Sequence, residues 1–99
     1  MAVYVDNMRA PFGRLIMCHM FADTHAELIE MADKAGVARK WIQNPGHCGE
    51  HFDICLSKRV LAVKHGAIEV SMRTLGEMMR ARRGPDGKQK YFAITEEVS

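Results

Sequence analysis

Apolar positions along this chain switch between a period of two and a helical period, and the switches mark out its elements. Residues 2–5 (Ala-Val-Tyr-Val) are β-branched and aromatic and predict a strand that stops at Asp6-Asn7, two residues that favour turns. Residues 9–14 predict a loop, because Pro11 and Gly13 interrupt any continuous element. Residues 15–21 resume as a strand that is apolar on both alternate faces, as an interior strand covered on both sides is. At Thr24 the period changes. Thr24 with Glu27 forms a capping box, Leu28, Met31, Ala32 and Ala35 recur at helical spacing, and Gly36 can take the left-handed conformation that ends a helix.

The second half repeats the alternation. A short strand is expected around Trp41-Ile42, ending at Asn44-Pro45-Gly46, and another over residues 51–55. In that strand a period of two puts His51, Asp53 and Cys55 on one face and Phe52 and Ile54 on the other. Ser57 can cap a helix through His65, with Val60 and Leu61 turned inward and Gly66 as its stop. Residues 67–70 read as a compact strand. Ser71 then caps a helix over residues 72–82 with Met72, Leu75, Met78 and Met79 on its apolar stripe. Gly84-Pro85-Asp86-Gly87 is a turn, and residues 91–94 form a final strand or a loose arm. Strands and helices alternate, which predicts an α/β fold of two or three layers with a mostly parallel sheet of about four strands. The expected organisation is one domain over residues 1–83, followed by the turn and C-terminal arm over 84–99.

Composition narrows the class. A chain of 99 residues with 26% charged side chains can bury a modest core without staples, and its longest apolar run is too short to span a bilayer. The first residues lack the basic start and long apolar centre of a secretory signal. The three cysteines, Cys18, Cys48 and Cys55, are odd in number and unevenly spaced, which argues against a disulfide framework and points to the cytoplasm. The net charge of +2 does not announce nucleic acid by itself. Its distribution is uneven, however: Arg73, Arg80, Arg82, Arg83, Lys88 and Lys90 face only Glu77 and Asp86 over residues 73–90. That stretch is expected to add electrostatic attraction for a polyanion rather than to form a site.

Candidate chemistry follows from where polar residues meet predicted strand ends. Ligands of open α/β sheets gather beyond the carboxyl ends of strands, and Asp6, His19, Asp23 and Asp53 would all lie there. Carboxylates with imidazoles can hold a divalent cation that activates water or polarises a phosphate. Asp6 and Asp23 suit turn and cap roles equally, and His19 suits a core position with one hydrogen bond. His47, Cys48, His51 and Cys55 have spacings that a zinc site can use, yet they lack a paired C-x-x-C or a second ligand pair. Arg14 and Arg59 flank loops or helix starts, where a side-chain cation and free backbone donors can meet a phosphate.

Several separated motifs stand in order: the opening Met1-Ala2-Val3-Tyr4-Val5-Asp6, then Gly13-Arg14, His19-Met20, Ala22-Asp23-Thr24, Glu27-Leu28, His51-Phe52-Asp53 and Gly66-Ala67. In these the chain resembles a family of small bacterial and phage proteins known as a domain of unknown function. The resemblance runs from the first residue to about Arg73. It implies that Asp6, Arg14, His19, Asp23, His51 and Asp53 are the family's motif positions, and it carries no established activity. The chain departs from the family at Asn7, where relatives often have Asp, and at Phe52, where they often have Tyr.

The resulting expectation is an edge lined by Asp6, His19, His51 and Asp53, with Arg14 and Arg59 holding phosphate. It would bind a nucleotide or a nucleic-acid segment. The sharper form is metal-dependent phosphoester hydrolysis, with Asp6, His51 and Asp53 as ligands of a divalent metal ion. The rival is a non-catalytic phage or bacterial interaction protein, an inhibitor or adaptor, whose polar cluster is structural. Its oligomeric state has no signature in the sequence.

Overall fold

The computed structural model describes residues 2–82. In chain order these form β1 (Val3–Val5), β2 (Ala10–Phe12), β3 (Leu15–Ala22), α1 (His25–Ala35), β4 (Phe52–Cys55), α2 (Leu56–Lys64), β5 (Ile68–Glu69) and α3 (Met72–Arg82). The turn expected at residues 84–87, the strand or arm at 91–94 and the cations Arg83, Lys88 and Lys90 lie outside the described residues.

β3 is the spine. On one edge it pairs with β2 near its start and with β1 near its end, and on the other it pairs with β4 over Met17, Cys18, His19 and Met20. All three pairings are antiparallel, and only β1 with β5 runs parallel. The sheet is therefore mixed and has five strands, not mostly parallel with about four. The reason is local: no helix separates the first three strands, and Gly13-Arg14 closes a two-residue hairpin between β2 and β3 with Gly13 at φ +62°. A glycine with positive φ at the first central position suits the turns whose twist matches a hairpin. The stretch expected to be loop thus contains β2. Pro11 is tolerated there because β2 pairs with β3 alone and sits at an edge.

α1 forms as its caps dictate. The Thr24 hydroxyl accepts the Glu27 backbone N–H at 3.2 Å and donates to the Glu27 carboxylate at 2.8 Å. At the other end Gly36 adopts φ +76°, and Val37 N–H reaches back to the Ala32 carbonyl at 2.8 Å. β4 runs into α2 without a loop, so Cys55, not Ser57, is the N-cap residue. α2 turns Ala62 inward and leaves Val60 66% exposed, the reverse of the expected Val60 face. The small Ala62 meets the small Ala32 and Ala35 of α1 in one core cluster, which lets the two helices approach closely. Residues around Trp41-Ile42 form a single 3-10 turn (Arg39–Trp41), not a strand. α3 has the expected bounds, and Ser71 Oγ accepts the Thr74 N–H at 3.0 Å as its cap.

The core sits between the sheet and α1 with α2. Val5, Met20, Ala22, Phe52 and Ile54 point there, joined by Leu28 and Met31. By the same alternation Tyr4, His19, Phe21 and Asp53 occupy the opposite face. Phe21 is fully buried on that side, stacked on Tyr4 with ring centroids 5.1 Å apart and lying under the Arg82 guanidinium at 5.3 Å. Arg82, one of the basic stretch expected to attract a polyanion, is only 7% exposed and donates to the Ala22 carbonyl at 2.5 Å. α3 is therefore a third layer, fastened at its end while its stripe stays half open: Met72 is 48% exposed. No described helix is long and apolar enough to cross a membrane.

Candidate metal centre

Strand register builds the centre. His19 on β3 stands directly opposite Asp53 on β4, and His51, two residues before Asp53, shares its face. The His19 and His51 rings meet edge to face with centroids 5.2 Å apart. Asp53 Oδ1 lies 3.8 Å from His19 Nε2 and 3.5 Å from His51 Nε2. His19, His51 and Asp53 offer one ligand atom each, all within 4.8 Å of one another.

The surroundings decide what these atoms can do. His19 Nδ1 donates to Asp6 Oδ2 at 2.7 Å, and His51 Nδ1 donates to the Gly49 carbonyl at 2.8 Å, an atom that can only accept. In its neutral form each imidazole therefore turns a lone pair on Nε2 towards Asp53. Asp53 Oδ2 accepts from Gln43 Nε2 at 2.7 Å, while Oδ1 is buried and accepts no hydrogen bond among the described residues. Three acceptors converge with no donor between them. Two ligands about 2.1 Å from a metal at a tetrahedral angle stand about 3.4 Å apart. The two histidine-to-Asp53 separations are close to that, and the two histidines, within 4.8 Å of each other, would draw together to complete the geometry. Two imidazoles with one carboxylate suit zinc, iron, cobalt or manganese better than magnesium or calcium, which prefer oxygen.

Asp6 stands behind this group. It is fully buried at the end of β1, and its Oδ1 accepts the backbone N–H of His19 at 2.8 Å and of Met8 at 3.2 Å. It holds the His19 ring in orientation, and the group able to offer metal ligands is His19, His51 and Asp53, without the Asp6 expected in it. Arg59 is held by the fold, donating to the Asp6 carbonyl at 2.8 Å and to Glu69 at 2.9 Å. Arg14 sits exposed in the β2–β3 turn, five residues along an extended strand from His19 and so about 17 Å away along the backbone. Asp23 lies apart from the centre. It accepts from Ala2 N–H at 2.7 Å and from the Tyr4 hydroxyl at 3.3 Å, and it pairs with Arg82 at 3.4 Å. Burial, and after it the Asp23 carboxylate, pushes the Tyr4 phenol above its ordinary range.

The centre lies on the sheet face, beside the Gln43–His51 bridge that closes the loop over residues 44–50. Glu50 pins that loop from within: it is fully buried, accepts Gly46 N–H at 3.1 Å and pairs with His25 at the start of α1. Of His47, Cys48, His51 and Cys55, only His51 joins a metal-capable group among the described residues. An open cleft of about 200 Å³ adjoins the two histidines, and Phe21, Cys48, Gly49, Leu75 and Met79 complete its lining. Sequence reasoning did not reach Gln43, Glu50 or His25. The Gln43 and Glu50 side chains stand at the two ends of the loop, and only closure of that loop shows their partners.

A family model described as a protein of unknown function, DUF4031, matches residues 3–82. The chain belongs to the DUF4031 family. The match spans all the described strands and helices and so includes His19, His51 and Asp53. No curated protein and no solved structure matches the chain.

Proposed function

We propose that this DUF4031 protein binds a divalent metal ion through His19 Nε2, His51 Nε2 and Asp53 Oδ1 and uses it in hydrolysis of a phosphate-bearing ligand. The observation that carries the reading is the buried Asp53 Oδ1, which faces two imidazole lone pairs and accepts no hydrogen bond among the described residues. A bound divalent ion supplies a Lewis acid for a phosphoryl oxygen and lowers the pKa of a bound water. Asp6, the Gly49 carbonyl and Gln43 hold the three ligands in orientation. Arg14 and Arg59 do not line the cleft, so the phosphate relies on the metal for its counter-charge.

A second reading, a non-catalytic interaction protein, is favoured by one observation: the Asp6 and Gln43 hydrogen bonds tie β1, β3, β4 and the 44–50 loop together whether or not an ion binds. Metal analysis and calorimetric titration with Zn²⁺, Mn²⁺ and Co²⁺ separate the two. The first reading expects one ion per chain, lost in Asp53→Asn and His51→Ala variants that stay folded, and metal-dependent turnover on a panel of nucleotides and phosphate esters. Absence of uptake by folded wild-type protein discards it. Uptake without turnover of any panel member removes the hydrolytic half.

A further inference from the structure

We propose that the cleft beside the metal centre selects a compact organic anion whose anionic head meets the metal and whose body is one apolar ring or branched chain, an aryl or alkyl phosphate rather than a polynucleotide. The inference rests on the metal reading above and names its substrate class. His19 and His51 line the cleft, and Phe21, Leu75 and Met79, with Cys48 and Gly49, form the rest of its wall. Apart from the histidines, no side chain that carries charge lines it among the described residues. A polyanion entering there would meet a single cation, the metal, and would strip its remaining phosphates of water with nothing to replace it, which is costly. An apolar group entering there removes hydrocarbon from water on both sides.

Size points the same way. The cleft holds about 200 Å³. A cavity of about 150 Å³ lined by apolar side chains accommodates benzene. Sites for drug-sized ligands start near 300 Å³, so the cleft encloses one ring-sized group rather than a whole nucleotide. The wall contributed by α3 is fitted to discriminate without carrying the fold. Leu75 and Met79 are only partly buried on a helix anchored elsewhere, at Ser71 and Arg82, so their side chains can be exchanged while the core stays intact.

Two non-hydrolysable probes share one head and differ in the body: phenylphosphonate and methylphosphonate. Both are titrated calorimetrically into Zn²⁺-loaded protein, with adenosine 5′-phosphate and a short oligonucleotide as further arms. Burial of the ring is expected to make phenylphosphonate bind about tenfold tighter than methylphosphonate. In Leu75→Asp and Met79→Glu variants, with one zinc per chain retained, that preference should fall to parity. Equal affinities for the two phosphonates on zinc-loaded wild type overturn the proposal, as does a phenyl preference that survives both substitutions or tighter binding of the nucleotide or oligonucleotide. Failure to take up zinc at all overturns the metal reading and this proposal together. Uptake with equal affinities overturns this proposal alone.

Discussion

The two faces of the sheet are built by the same strands and behave as two different materials. Towards α1 and α2, Val5, Met20, Ala22, Phe52 and Ile54 are at most 1% exposed and meet Leu28, Ala32, Ala35 and Ala62. Towards α3, their immediate neighbours are Tyr4, His19, His51 and Asp53, with His19 and Asp53 at 26% and 36% side-chain exposure. A strand period of two makes this partition possible, since consecutive residues never share a face. Acceptors that lack donors of their own would cost several kcal/mol inside an apolar core, at about 2–7 kcal/mol per unpaired polar group. Set on the half-open face, they leave the core undisturbed.

The sharpest way to break this comparison is to mutate adjacent residues of β4. Phe52→Ala removes one of the largest fully buried side chains and is expected to cost about 3–5 kcal/mol in urea unfolding. Asp53→Asn, one position along, keeps a side chain that can accept from Gln43 and should shift the unfolding midpoint little while abolishing metal uptake. Comparable losses of stability in both variants would mean that the two faces are energetically coupled.

Asp6 sharpens the comparison, because it is fully buried yet serves the polar face. In Asp6→Asn the retained oxygen must still accept the His19 and Met8 backbone N–H groups, so the new amide N–H₂ falls opposite His19 Nδ1–H. Donor then meets donor. The ring relieves this by moving its proton to Nε2, which removes the lone pair offered to a metal. A stability loss of about 1–3 kcal/mol is expected from the disturbed buried hydrogen bond. Loss of the outer-shell carboxylate should weaken metal affinity by about 10–100-fold, read by titration calorimetry. Full affinity in a folded Asp6→Asn variant would remove Asp6 from the centre.

How much of this the chain discloses by itself depends on how local each interaction is. α1 was legible because Thr24, Glu27 and Gly36 carry its start and stop within a few residues. α3 was legible for the same reason at Ser71. The pairing of His51 with Asp53 on one face follows from strand period alone. The arrival of His19 opposite Asp53 does not, since it depends on the register of β3 against β4, more than thirty residues apart in the chain. The parallel sheet was inferred from alternating elements, and the short connections among β1, β2 and β3 reversed it. Arg82 resembled a solvated cation because its partners, the Ala22 carbonyl and the Phe21 ring, are tertiary.

The smallest expected effect tests the same partition through cysteine chemistry. Cys18 is fully buried on β3, paired with Ile54 on the helix-covered face, whereas Cys55 ends β4 on the face of His51 and Asp53. Cys55 Sγ lies 3.3 Å from Ser57 Oγ. That hydroxyl holds the thiol below its ordinary range; burial pushes the other way, and backbone N–H groups of the first turn of α2 add to the lowering. The thiolate is the nucleophile, so a lowered pKa means more of it at neutral pH and faster alkylation. Native protein treated with iodoacetamide near pH 7 should therefore label Cys55 well before Cys18, as read by peptide mass spectrometry. Ser57→Ala raises the thiol pKa towards its usual value and should slow Cys55 labelling at neutral pH, with the gap closing above the ordinary thiol pKa of about 8.5, where both forms are ionised. The linked stability has a fixed sign: with the folded pKa depressed, it is present above the unfolded pKa and is lost as pH falls through the folded one. Rapid native labelling of Cys18 would show that the helix-covered face opens as readily as the other, and the contrast between the faces would fail.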